Sequence, residues 1–83
     1  MGELSKLPNI SKVIEEKLND AGIETIAQLR ELGSREAFVK IRLRDNTACV
    51  NMLCALEGAV QGIRWHQLSE QTKQELKEFH KTL

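Results

Sequence analysis

Residues 7–33 read LPNISKVIEEKLNDAGIETIAQLRELG, an amphipathic helical sequence that is interrupted by Gly22 and closed by Gly33. Glycine readily adopts the left-handed backbone conformation that ends many helices, because it has no Cβ atom to clash. Ile23 follows the first glycine and is placed to contact Leu18, which is the apolar contact of a Schellman cap. The pattern therefore predicts a first helix over about residues 11–21, with Glu15 facing water, and a sharp turn at Gly22.

A second helix is predicted directly after this turn. Thr25 can accept a hydrogen bond from the backbone of Gln28, and the side chain of Gln28 can bond back to Thr25, as in a capping box. The helix then runs to Gly33. Two helices joined by so short a turn predict a compact hairpin, the unit from which helix-hairpin-helix domains are built.

Three further helices complete a predicted all-α domain. Ser34 is expected to cap the third helix. The fourth, over about residues 48–61, is apolar around most of its girth, so it belongs at the centre of the fold, with Leu56 on its core face. Gly62 ends this helix. Trp65 follows in a short connector and is expected to anchor the core, because the chain has only one tryptophan and two phenylalanines.

Length and composition limit the classes of protein to which this chain can belong. The 83 residues suffice for one domain, expected to span residues 1–83 with a loose N-terminus over residues 1–6. Twelve basic and twelve acidic residues give a net charge of zero, whereas a dedicated nucleic-acid-binding domain usually carries a basic excess. The sequence has no apolar run long enough for a membrane span or a signal peptide. We therefore expect a cytoplasmic protein that does not act on a membrane.

Catalytic and metal chemistry find no support in the sequence. No nucleophile–base set or phosphate-binding loop stands at a recognisable spacing, so neither an enzyme nor a small-molecule substrate is predicted. His66 and His80 lie on different elements, without ligand spacing to each other or to a cysteine, so no metal or other cofactor is expected. Cys49 and Cys54 are interpreted as two buried thiols of a reducing compartment.

One candidate DNA contact lies at the start of the hairpin. Asn9 and Ser11 could approach a phosphate there, with Lys6 and Lys12 beside them. The glycines usual at such a turn are missing from this sequence. The alternative is that Ser11 only caps the first helix.

A second candidate DNA or partner contact lies on the third helix and is the best basic patch of the chain. Its members are Arg35, Lys40, Arg42 and Arg44. Arg35 and Arg42 can share one helix face, while Lys40 and Arg44 lie on another. The alternative is an ordinary solvated surface.

Three residues around the fourth helix require an explanation. Gly58 costs about 1 kcal/mol relative to alanine within a helix, so we expect close approach of another backbone, from the hairpin of the same domain or from another molecule. Glu57 lies in apolar surroundings and is expected to be structural, bonding a backbone amide or pairing with a base such as Arg64. For Trp65, a partner-binding hot spot is the alternative to a core anchor.

The chain resembles the C-terminal domain of the TfoX/Sxy proteins, bacterial regulators of DNA competence. The matching segments are residues 7–10, 21–25, 28–33 and 53–59, followed by Gly62 and Trp65. The resemblance implies a helix-hairpin-helix or SAM-domain-like fold and a link to the regulation of transformation, and it implies no enzyme. These regulators carry an N-terminal domain that nothing in the 83 residues matches, so the activity of a full regulator is not implied.

Three functional hypotheses follow. The first is a non-enzymatic module that acts through a protein partner, favoured by the neutral charge, the hairpin without its usual glycines and the resemblance. The second is weak, sequence-independent DNA binding, which must weaken steeply as salt rises. Self-association is a third possibility, whose mark would be an exposed apolar patch on the fifth helix or near Trp65. The sequence identifies neither the partner nor the oligomeric state.

Overall fold

The computed structural model describes residues 3–83. Its five α-helices are α1 (Lys12–Asp20), α2 (Ile26–Leu32), α3 (Ser34–Arg44), α4 (Val50–Gln61) and α5 (Glu70–Lys81). Two 3-10 turns, Leu4–Lys6 and Trp65–Gln67, precede α1 and α5. Residues 3–83 contain no strand, and the predicted all-α class is confirmed. The helix-hairpin-helix or SAM-like character of the core stays a prediction.

The turn between α1 and α2 has the predicted caps. The backbone N–H of Ile23 donates to the carbonyl of Leu18 at 2.8 Å, and Gly22, at φ +91°, donates to Asn19 at 3.0 Å. These two bonds are those of a Schellman motif. Thr25 and Gln28 then form both hydrogen bonds of the capping box. The turn is therefore held by local interactions.

Helix α4 lies at the centre of the packing. It contacts α3, α5 and the second 3-10 turn, whereas α1 and α2 pack against α3. Its Leu53 and Leu56 are fully buried and belong to one core that includes side chains from all five helices. The fully buried large side chains are Phe38, Leu4, Leu18, Ile23, Leu29, Ile41, Leu53, Leu56 and Leu76. Within residues 3–83, no helix has the length and apolar character needed to cross a membrane.

The N-terminal segment differs from the expected loose end. Residues 1 and 2 lie outside the described residues, but Leu4 is completely buried. The backbone N–H of Ser5 donates to the carboxylate of Glu15 at 3.3 Å, and Glu3 accepts a bond from the backbone N–H of Ile26 at 2.8 Å. Helical periodicity predicts that the side chain of Glu15 is exposed to solvent. It is buried instead, because this segment covers it.

Two expectations about helix ends were wrong. Gly33, at φ +84°, caps α3 in place of Ser34, which is the first helical residue and is buried. Helix α4 begins two residues later than predicted, at Val50, so Cys49 is its N-cap residue and is exposed. Only Cys54 is a buried thiol, and this burial raises its pKa.

Candidate interaction surface around Trp65

Trp65 is not the predicted core anchor, because half of its surface is exposed. Helix α4 ends in a second Schellman motif, in which Gly62 has φ +78° and the N–H of Ile63 donates to the carbonyl of Gly58 at 2.9 Å. The chain then enters the 3-10 turn that begins with Trp65. Leu68, at the end of this turn, is buried and is the real anchor of the connector.

The side chain of Asn9 fixes the turn that carries Trp65. Its Nδ2 donates to the carbonyl of Ile63 at 2.9 Å and reaches that of Ala55 at 3.5 Å. Its Oδ1 accepts the backbone N–H of Trp65 at 3.1 Å. Asn9 itself has φ +69°, a conformation that asparagine tolerates better than most residues. Both ends of its amide are thus occupied by backbone groups of the connector.

Gly58 allows this close approach. A Cβ atom built at this position would lie 2.4 Å from Nδ2 of Asn9, 2.8 Å from the carbonyl oxygen of Ile63 and 3.2 Å from Cα of Trp65. The expectation of a close backbone approach is therefore correct. The approaching groups are the loop before α1 and the connector after α4, not the α1–α2 hairpin.

An open cleft of about 460 Å³ lies beside the indole ring. It is lined by Asn9, Asn51, Ala55, Arg64 and Trp65. Among residues 3–83, this lining includes one cation and no carboxylate. Among residues 3–83 the ion pairs are Lys17–Asp45 and Lys73–Glu70, so Arg64 has no acidic partner there. We call these five residues the Trp65 cleft.

Helix α5 supports the indole ring. The ammonium of Lys73 lies 5.7 Å from the ring centroid, a cation–π distance, and donates to the carbonyl of His66 at 3.4 Å. The imidazole of His66 stands nearly perpendicular to the indole, with the centroids 5.9 Å apart. The tryptophan is exposed, yet it is positioned from several sides.

The structure divides the basic residues of α3 between two sides of the helix. Arg35 lies 5.8 Å from the ring centroid of Phe79, and Arg42 approaches Nε2 of His80 at 3.2 Å, so this pair is turned toward α5. Arg44 lines a different cleft, of about 680 Å³, and Lys40 is exposed. The four residues do not form one continuous patch.

The proposed DNA contacts at the start of the hairpin are partly engaged in the fold. Ser11 caps α1, since its hydroxyl accepts the backbone N–H of Ile14 at 3.2 Å. The polar atoms of Asn9 bond the connector, as described above. Lys6 and Lys12 are exposed. Ser11 is exposed as well, but its hydroxyl caps α1, so the two lysines are the exposed residues of this set whose side chains have no such role.

Glu57 has a structural partner that the sequence did not indicate. Its carboxylate accepts the hydroxyl of Ser34 at 2.5 Å and the side-chain amide of Gln61 at 2.5 Å. It pairs neither with Arg64 nor with a backbone amide among the described residues. The contact ties the start of α3 to the middle of α4.

The cleft at Arg44 contains an ion pair that closes the loop after α3. The ammonium of Lys17 bonds the carboxylate of Asp45, which also accepts the backbone N–H of Thr47 at 3.0 Å. The bond from Lys17, followed by those from Thr47, lowers the pKa of Asp45 from 3.8 to about 2. Within residues 3–83, no three His, Cys, Asp or Glu side chains are grouped as metal ligands.

Sequence reasoning missed three residues of this surface: Asn51, Arg64 and Lys73. A signal was present for the first. Asn51, Ala55, Gly58 and Gly62 recur at spacings of four, three and four, which places small and polar side chains on one face of α4. Such a face leaves room for another element or a ligand beside the helix. Nothing in the local sequence indicated Lys73, because its contact with Trp65 depends on how α5 packs.

Comparisons with known proteins agree with the architecture. Residues 1–80 match the TfoX C-terminal domain. The chain is 34% identical over 80 residues to Protein Sxy of Escherichia coli (strain K12), covering 96% of this chain and 38% of Sxy. It therefore spans well under half of that relative.

Two crystal structures from Listeria monocytogenes are similar throughout. One, of an uncharacterized protein in a triclinic form, has a TM-score of 0.94 and 56% identity over 95% of this chain and 90% of its own. The other, of a protein of unknown function in a tetragonal form, has a TM-score of 0.94 and 55% identity over 96% and 98%. The chain thus belongs to the TfoX C-terminal domain family.

Proposed function

We propose that this domain is a non-catalytic module of competence regulation that acts by binding a protein partner through the Trp65 cleft. The observation that carries the proposal is the half-exposed Trp65 on a fixed turn. Tryptophan is among the residues most enriched at binding hot spots, and exposing it costs free energy that a partner would recover. Membership of a family of regulators supports a role without catalysis.

The rigidity of the cleft supports the same proposal. Asn9 bonds the backbone on both sides of the turn, and Lys73 lies against the indole. A surface that is already ordered loses little conformational entropy when it binds. Leu43 is more exposed than Trp65, at 81% against 50%, but lines neither cleft. Single exposed aliphatic residues are common on protein surfaces.

Partner capture tests this proposal. The tagged domain and its Trp65→Ala and Leu43→Ala variants are compared by affinity purification from cells that naturally express the chain, after circular dichroism shows that all three are folded. We expect a partner that is retained by wild type and Leu43→Ala and lost by Trp65→Ala. A partner bound equally by all three, or none at all, would contradict the proposal.

DNA binding is the second candidate function. Lys40 and Arg44 are exposed on one side of α3, and Lys6 and Lys12 are exposed near the hairpin, so they can contribute phosphate contacts. Because the net charge is zero, the domain exerts little long-range electrostatic attraction on DNA. Labelled duplex DNA at low and at moderate salt tests it, with a Lys40/Arg44 double alanine variant. Binding that fades with salt and is lost in the variant would establish this function.

A further inference from the structure

We propose that the Trp65 cleft recognises an acidic protein segment, in which a carboxylate stands beside an apolar side chain. The inference rests on the proposed function, because it defines the chemistry of the partner that the cleft would bind.

The charge of the cleft favours a carboxylate. Arg64 is the only ionic residue in its lining and has no acidic partner among residues 3–83. Lys73 adds a second cation beside the indole. Its partner Glu70 is 4.0 Å away and the Glu70 side chain is 95% exposed, so this ion pair is weak and does not neutralise Lys73. The Lys73 side chain is itself 21% exposed and donates to the carbonyl of His66, so it contributes positive charge beside the indole more than a free donor.

The free hydrogen-bonding groups are mainly donors. A guanidinium and an indole N–H can only donate. Within residues 3–83, neither the guanidinium of Arg64 nor the indole N–H of Trp65 donates to another residue, although the backbone N–H groups of both residues are bonded. Asn51 is exposed on α4 and adds an amide. An occupant rich in acceptors would satisfy these groups, and a carboxylate accepts several charge-assisted hydrogen bonds at once.

The apolar part of the cleft favours a neighbouring apolar side chain. The indole of Trp65 presents carbon surface next to Arg64, and Ala55, which is 8% exposed, adds a small apolar part of the lining. Burying that surface under an aliphatic or aromatic side chain supplies a hydrophobic contribution that a carboxylate alone would not provide.

A protein segment fits these features better than a single-stranded nucleic acid. Nucleic-acid channels combine a track of cations with successive aromatic platforms. This surface has one tryptophan, whose ring already lies beside Lys73, and two cations, one of which is near Glu70. The domain as a whole carries no net positive charge.

Selection from a random dodecapeptide library displayed on phage tests the inference. We expect enriched peptides to place Asp or Glu next to Leu, Ile or Phe. A synthetic peptide of that sequence should change the fluorescence of Trp65, the only tryptophan of the chain. Its Glu→Gln counterpart should bind about tenfold more weakly, because a charge-assisted hydrogen bond is lost.

Charge reversal supplies the control. Arg64→Glu changes an exposed side chain, so we expect the domain to stay folded. The variant should bind the acidic peptide at least about tenfold more weakly, and selection on it should enrich basic peptides instead. Arg30→Glu, an exposed position on α2, should leave binding unchanged.

Four results would overturn the inference. One is enrichment of neutral or basic peptides that still require Trp65, which would leave the interaction module in place but reject an acidic partner. A second is equal binding of the acidic peptide by wild type and Arg64→Glu. The third is the absence of any peptide that depends on Trp65. The fourth is a stronger response to a twelve-residue oligothymidylate than to any peptide. Combined with a failure of partner capture, either of the last two results would reject the proposed function as well.

Discussion

Asn9 and Trp65 lie 56 positions apart in the chain, yet Oδ1 of Asn9 accepts the backbone N–H of Trp65 at 3.1 Å. The same side chain donates to the carbonyl of Ile63 at 2.9 Å. A residue before the first helix therefore sets the position of a tryptophan before the last one. Only a side chain that both accepts and donates can make this pair of bonds, and asparagine also tolerates the backbone conformation found at position 9.

Replacing Asn9 should release the turn. Asn9→Gly keeps the positive φ accessible but removes the side-chain bonds, and we expect it to lower the free energy of unfolding by about 1–3 kcal/mol. Asn9→Ala should cost about 1–2 kcal/mol more, because alanine disfavours the left-handed conformation. Urea unfolding measures both losses, and acrylamide quenching of Trp65 should increase. Asn46→Gly, at an exposed loop asparagine, is the control and should change neither quantity. Unchanged quenching in Asn9→Gly would show that these bonds do not hold the turn.

Gly58→Ala should destabilise the domain although alanine is the better helix former. Its Cβ atom would lie 2.8 Å from the carbonyl oxygen of Ile63, which belongs to the backbone and has little freedom to move. Overpacking of this kind costs about 1–3 kcal/mol. Ala27→Gly, at an exposed position of α2, calibrates the ordinary helix preference and should cost about 1 kcal/mol. Thermal unfolding compares the two, and a gain in stability for Gly58→Ala would mean that the close approach is absent.

Asp45 should make the domain sensitive to acid. Because its pKa falls to about 2 in the folded protein from 3.8, the carboxylate stabilises the fold above about pH 4, and this stabilisation is lost as the pH falls toward about 2. Asp45→Asn should be less stable at neutral pH and should lose less stability across that interval. Lys17→Met removes the largest cause of the shift and should behave similarly. Urea midpoints measured across the interval test this, and parallel losses in wild type and Asp45→Asn would refute it.

Ser34 and Glu57 should be energetically coupled. The hydroxyl of Ser34 is buried and donates to Glu57 at 2.5 Å, so Ser34→Ala leaves a half-buried carboxylate with one fewer donor. We expect Ser34→Ala to cost about 1–3 kcal/mol. In a double-mutant cycle with Glu57→Gln, the coupling energy should be about 0.5–3 kcal/mol. Additive losses would show that the contact does not link α3 to α4.

Local interactions were predictable from the sequence. The contact of Leu18 with Ile23 and the capping box of Thr25 depend on residues within a few positions of each other, so their spacing specifies them. The number of helices followed from apolar periodicity, and the central place of α4 followed from its apolar character around most of its girth. Periodicity indicates which side of a helix faces the core, and a helix that is apolar over most of its surface has to be buried.

Interactions between distant segments were not predictable. Periodicity placed Glu15 in water, because it could not indicate that residues 3–6 cover that face. Serine is a common N-cap residue, yet the hydroxyl of Ser34 donates a hydrogen bond to the carboxylate of Glu57 on α4 instead. Asn9 and Trp65 were each identified as candidate residues, but only the packing of the connector brings them together. The Trp65 cleft is built from three separate parts of the chain, so no single motif describes it.

Site-specific photo-crosslinking tests the proposed role of the Trp65 cleft most directly. A photoreactive phenylalanine analogue is placed at Asn51, an exposed residue that lines the cleft, and separately at Leu43, an exposed residue outside it. Irradiation of cells that naturally express the chain should give a discrete protein adduct from position 51 and none from position 43. The adduct should disappear when Trp65→Ala is added. Adducts of equal yield from both positions, or no protein adduct from position 51, would contradict the role proposed for the cleft.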